Sequence, residues 1–174
     1  MEPEIIMLPL GPLQTNSYIL ICGETRQAAV IDPSWDGERI GTILTEKEAT
    51  LTHILLTHAH FDHVGGLAGL KTAVSAPIYL HPEAAEMLAH AVPSAARFNI
   101  PLDEPPAADE PLADGDQLHI GSLTLDTLYT PGHAPGHVSF HLPAYGVVFA
   151  GDALFQGSIG RTDHAQGRGG GTGD

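Results

Sequence analysis

The stretch "LTHILLTHAHFDHVGG" (51–66) constrains this chain more than any other. An apolar, β-branched run ends abruptly in His58, His60, Asp62 and His63, and two glycines follow. The run reads as a buried strand over 51–57. The fold must bury that strand and still present four polar side chains where it ends. Imidazoles and carboxylates are good ligands for zinc and related divalent ions. Residues two apart in extended backbone point the same way, so His58 and His60 converge on one ion. Asp62 and His63 follow where the chain is expected to turn into a helix, so they can face a second ion nearby. Gly65 and Gly66 are expected to let the backbone pass the cluster without side-chain clash.

Two other segments have the same form. "LDTLYTPGHAPGH" (125–137) ends its strand at Thr130 and then offers His133 and His137. "YGVVFAGDALF" (145–155) ends its strand at Gly151-Asp152. Ligands at the ends of separate strands, meeting at one sheet edge, are how a catalytic metal site is assembled. His137 opens a new strand and is expected to orient a ligand rather than to bind an ion.

The remaining pattern frames these segments. Strands are expected at 4–10, 16–22, 27–33 and 77–82, and helices at 36–49, 65–76 and 82–92. Hairpins are expected at 117–132 and 136–152. The Pro- and acid-rich stretch 101–117 reads as an exposed loop. Strands and helices mixed with hairpins indicate an α/β sandwich with mixed sheets rather than a uniform βαβ series. Residues 160–174 collapse into glycine and carry no apolar periodicity. The 174 residues fit one domain. Seven basic against 21 acidic side chains give a net charge of −14, which argues against a nucleic-acid partner. No run approaches the length of a membrane span, and the N-terminus does not resemble a signal peptide. The single cysteine, Cys22, excludes an intrachain disulfide and points to a cytoplasmic protein. Cys22 itself reads as a small buried residue.

Taken together, "THAHFDHVGG", "TPGHAPGH" and "FAGDALF" resemble the signature motifs of the metallo-β-lactamase superfamily. "GPLQTNSYIL", "AVIDPS" and "GSIGRTD" resemble its glyoxalase II-like branch, the hydroxyacylglutathione hydrolases. The resemblance runs over residues 5–163. It implies an αββα sandwich of two mixed sheets over 1–163, lacking the last helix and strand elements, with 164–174 as a tail. By resemblance, His58, His60 and His133 bind the first metal, Asp62 and His63 bind the second, and Asp152 bridges both. Asp32 and His137 support the ligands from behind, and Arg161 lies beside the substrate. The implied cofactor is zinc, one or two ions per chain, with ferrous iron or manganese as alternatives. The implied reaction is attack of hydroxide on the carbonyl of a small-molecule thioester, with Asp62 as the catalytic carboxylate.

The resemblance also implies one further ligand histidine downstream of "GRTD". The sequence carries only His164 there, so a weakened second site is expected, and a homo-oligomer supplying the ligand is left open. Two other readings use the same residues. His58, His133 and Asp152 match the ligand positions of mononuclear iron persulfide dioxygenases of this superfamily, and an inactive metal-binding relative is the third reading.

Overall fold

The near-continuous apolar runs at Thr15–Ile21, Gln27–Ile31 and Thr50–Leu55 form inner strands of a sheet that is covered on both faces, which is why they do not alternate. In the computed structural model residues 1–151 are described, together with the backbone of two short strands, Leu154–Phe155 and Ser158–Ile159. The first strands are β1 (Glu4–Leu10), β2 (Thr15–Ile21) and β3 (Gln27–Ile31), followed by helix α1 (Gly37–Glu46) and β4 (Thr50–Leu55). Next come α2 (Phe61–Val64), α3 (Leu67–Ala73), β5 (Ile78–Leu80), a 3-10 turn at Pro82–Ala84, α4 (Ala85–Ala89) and α5 (Ala91–Ala96). The chain continues through β6 (Glu110–Pro111), β7 (Gln117–Ile120), β8 (Leu123–Tyr129), β9 (Val138–Leu142) and β10 (Val147–Phe149).

Six strands in the order β1-β2-β3-β4-β5-β6 form one sheet, antiparallel up to β3 and parallel from β3 to β6. Four strands in the order β10-β9-β8-β7 form the other, antiparallel at every described pair. One core lies between the six-stranded sheet and the helices, built from residues such as Ile19, Val30, Ile54, Ile40, Leu67 and Leu70. The other lies between the sheets, where Leu20, Ile31 and Leu55 meet Leu125, Val138 and Phe140. Successive residues of β2, β3 and β4 thus alternate between two apolar cores. This is the α/β sandwich expected from the sequence, with the first helical layer, both sheets and their shared core in place. Among the described residues no helix is long and apolar enough to cross a membrane.

Several expected boundaries shift. The helix expected over 82–92 is a 3-10 turn and α4, and the chain re-enters α5 beyond His90, with Pro93 in its first turn, where a missing N–H does no harm. The loop expected over 101–117 contains β6, which pairs in parallel with β5 and seats Leu112 in the inter-sheet core. Gly65 and Gly66 do not serve the metal ligands. A Cβ on Gly65 would strike the Trp35 ring and the Ser34 carbonyl, and one on Gly66 would lie 2.8 Å from the Trp35 carbonyl oxygen. They let the α2–α3 junction pack on residues 33–35, and the Gly66 N–H donates to the Pro33 carbonyl at 2.8 Å.

Candidate metal centre

β3 and β4 run in parallel, and both end at the same edge of the sheet. Asp32 follows β3, and Thr57, His58 and His60 follow β4. The loop between β8 and β9 brings His133 and His137 to that edge from the other sheet. The His58 Nε2 lies 3.1 Å from the His60 Nδ1, and the His133 Nε2 lies 3.0 Å from the same atom. A ring nitrogen carries one proton or one lone pair, so a single hydrogen bond cannot account for both contacts. Three nitrogens bound tetrahedrally to an ion at about 2.0–2.1 Å stand roughly 3.3 Å apart. The observed spacing is within a few tenths of an ångström of that, so the residues present fit a divalent ion.

The proton positions behind these nitrogens follow from the hydrogen bonds. Asp32 is 2 % exposed and sits in a left-handed turn with φ 49, a conformation that aspartate tolerates better than most residues. Its Oδ1 accepts from the Thr57 N–H at 2.8 Å, and its Oδ2 accepts from the Thr57 hydroxyl at 2.6 Å. The Thr57 proton is thereby committed to Asp32, so at 3.0 Å the Thr57 oxygen accepts from the His58 Nδ1–H. His58 is then the Nδ1–H tautomer, and its Nε2 lone pair faces His60. The Asp32 Oδ2 also accepts from the His63 Nδ1–H at 3.0 Å, so the His63 Nε2 lone pair turns outward. One buried carboxylate fixes the tautomers of two histidines. Asp32, His58 and His63 lie close enough to be read as a ligand group themselves. Because the Asp32 oxygens already receive these three donors, the trio is a hydrogen-bonded support and not a ligand set.

The second pair sits on α2. The His63 Nε2 lies 3.7 Å from the Asp62 Oδ2, and the Thr15 hydroxyl donates to that Oδ2 at 2.9 Å. His137 is fully buried, its Nδ1 is 2.9 Å from the Thr130 hydroxyl, and its ring lies 4.9 Å from that of His58. The structure therefore brings His58, His60 and His133 together, sets Asp62 and His63 beside them, and places Asp32 and His137 behind. Gly151 packs against the Thr57 side chain. Asp152, Arg161 and His164 lie outside the described residues. Thr15 and Thr57 were not singled out in the sequence, although Thr15 lies within "GPLQTNSYIL". A concavity of about 300 Å³ is lined by Trp35, Glu38, Gly69 and Asp103, and none of the histidines lines it.

Cys22 lies away from this centre, its Sγ 3.3 Å from the Ser122 Oγ. Burial raises its pKa, but hydrogen bonds from Ser122 and Thr25 outweigh that and bring it down to about 6.

A sequence profile described as "Metallo-beta-lactamase superfamily" matches residues 10–174. The chain belongs to that superfamily. It is 41% identical over 157 residues to a probable metallo-hydrolase, YqgX, of Bacillus subtilis, covering 90% of this chain and 74% of the relative. It is 36% identical over 165 residues to the hydroxyacylglutathione hydrolase GloC of Haemophilus influenzae, covering 94% and 77%. It superposes with a TM-score of 0.85 on TTHA1623, solved in a di-iron-bound form, at 39% identity over 94% of this chain and 79% of that one. Membership of a metallo-hydrolase superfamily and the convergent histidines together imply an enzyme that uses a divalent metal.

Proposed function

We propose that this chain is a metal-dependent hydrolase of small-molecule thioesters, of the hydroxyacylglutathione hydrolase type. The observation that carries the reading is the convergence of the His58 Nε2, His60 Nδ1 and His133 Nε2, with the His58 tautomer set from behind. Those three nitrogens hold the first ion. The His63 Nε2 and Asp62 would hold the second, and Asp152 would complete the ligand set. Zinc and ferrous iron both suit an imidazole-rich set, and similarity to a protein solved with two irons keeps iron beside zinc and manganese.

A bound divalent ion supplies Lewis acidity, which lowers the pKa of a coordinated water and polarises the carbonyl to be attacked. The chain's own residues do the rest. Asp32, buried and negative, balances the protons on the His58 Nδ1 (through Thr57) and the His63 Nδ1. The Thr15 hydroxyl keeps the Asp62 Oδ2 turned toward His63 and leaves Oδ1 to accept a proton from the attacking water. A thiolate is a good leaving group, so no strong general acid is required. Similarity to a hydroxyacylglutathione hydrolase supports the thioester class, the single cysteine supports a cytoplasmic setting, and Arg161 is the residue assigned to substrate binding.

The test joins elemental analysis of gently purified protein with hydrolysis of S-acyl-glutathione and of the matching oxygen ester. One to two ions per chain and faster thioester turnover are expected. Protein that neither retains nor regains zinc, iron or manganese, or that is inert on thioesters when loaded, sinks the proposal.

A further inference from the structure

Outside the histidine cluster a second group of polar side chains joins the two sheets at the same rim. Tyr129 is the last residue of β8, and the loop that carries His133 begins immediately after it. Its hydroxyl donates to the Glu83 Oε2 at 2.7 Å, and its ring stacks on that of His81, with centroids 5.0 Å apart and planes 17° from parallel. His81 and Glu83 belong to the turn that follows β5 in the other sheet, and the Glu83 N–H donates to the His81 Nδ1 at 3.2 Å. Further along the loop Gly136, at φ +68, lies so close to this turn that a Cβ would meet the Ala84 nitrogen at 2.8 Å and the His81 Nδ1 at 3.1 Å. The loop is closed on itself by the Thr130 N–H donating to the His137 carbonyl at 2.9 Å.

His58 and His60 come from the six-stranded sheet, and His133 comes from the four-stranded one. Their convergence therefore depends on how the two rims are held, and the Tyr129–Glu83 bond and the ring stack span the rims four residues before His133. We infer that Tyr129, Glu83 and His81 form a latch between the sheets that positions His133 against His58 and His60. These are positioning residues, and none of them is a proposed ligand. The inference rests on the metal-site reading above.

The latch is read in two ways that do not depend on catalysis. The first is cobalt(II) titration of metal-stripped full-length protein, followed by its visible absorption, with Tyr129→Phe, Glu83→Ala, Glu83→Gln and the double variant Tyr129→Phe/Glu83→Ala. A single net hydrogen bond is worth about 0.5–1.5 kcal/mol, so Tyr129→Phe and Glu83→Ala are each expected to weaken cobalt binding about three- to tenfold. The double variant should be no weaker than either single one, because both remove the same bond. Glu83→Gln, which keeps an acceptor oxygen, should stay near wild type. The second is amide hydrogen exchange of residues 132–136 in the metal-free protein, expected to quicken in Tyr129→Phe while β4 is unchanged. Wild-type protein that binds no cobalt defeats the metal reading, and the exchange result then judges the latch alone. Unchanged cobalt affinity in both single variants, additive losses in the double one, or unchanged loop exchange each overturns the latch.

Discussion

The two halves of the metal centre are anchored differently. On the β4 side, the histidines lean on Asp32, which is 2 % exposed and bonded to Thr57 and His63 at 2.6–3.0 Å. On the β8–β9 side, His137 leans on a neutral hydroxyl, Thr130, which itself meets another hydroxyl, Ser139, at 3.0 Å. The first anchor is ionic and deep, where a lost partner leaves a buried charge or donor unsatisfied. The second uses neutral groups, with His137 and Ser139 buried and Thr130 half-buried, so a lost bond there strands no charge. Damage to the β4 side should therefore cost both folding and metal, and damage to the β8–β9 side should cost metal more than folding.

The sharpest break comes from the ligands themselves. His58→Ala removes a nitrogen held by the buried network, and His133→Ala removes one held by the loop. Comparable losses behind a ligand cost about 10–100-fold in metal affinity, so losing either ligand should cost at least that and abolish hydrolysis. Asp62→Ala should also abolish hydrolysis. Metal content and thioester turnover, measured together, check all three. Near-normal turnover in Asp62→Ala beside a dead His58→Ala would show that the second pair is idle.

The next effect falls on the fold. Asp32→Ala strands the Thr57 N–H, the Thr57 hydroxyl and the His63 Nδ1–H in a buried place. Each unsatisfied group costs about 1–3 kcal/mol, not additively, so a loss of about 2–4 kcal/mol is expected in denaturant unfolding of the metal-free protein. Thr130→Val on the opposite side should cost about 1 kcal/mol or less. Equal losses would erase the distinction between the halves. Thr57→Val falls between them: it keeps the backbone donor to Asp32 but strands the buried His58 Nδ1–H, so a stability loss of about 1–2 kcal/mol should accompany a drop in metal affinity of about 10–100-fold.

How much of this was legible in the sequence divides along the same line. β1 lies at Glu4–Leu10, where its pattern placed it, because a run that faces an apolar core writes its periodicity into adjacent residues. The six histidines and acids in "THAHFDH" and "TPGHAPGH" that surround the centre were legible for a similar reason: several costly polar residues stand where apolar strands stop. Thr15 and Thr57 were not, since a single hydroxyl has no period, and their partners lie 47 and 25 residues away. Tyr129 and Glu83 pair across 46 residues for the same reason. β6 was missed because two residues that include Pro111 form a strand only by pairing with the β5 edge. The break at His90 was missed because alanine-rich sequence favours helix on either side of it.

The smallest expected effect lies far from both halves and serves as their control. His53 sits in β4, its ring stacked on Tyr79 at 5.0 Å and its Nδ1 2.8 Å from the Thr52 hydroxyl. Burial lowers its pKa, and the nearby His119 lowers it further. The folded state therefore binds this proton less readily than the unfolded chain does. Its contribution to stability is intact above the unfolded value of about 6.5 and is lost as pH falls from there toward the lowered folded value. His53→Gln removes the titration while keeping a polar side chain. In metal-free protein, where ligand loss in acid plays no part, the stability difference between wild type and His53→Gln should shift in favour of the variant between pH 7.5 and pH 5.5. Metal affinity at pH 7.5 should be the same in both, because His53 lies five residues before His58 and its contacts are with Thr52 and Tyr79. A variant that tracks wild type across that interval would show that burial does not depress the His53 titration.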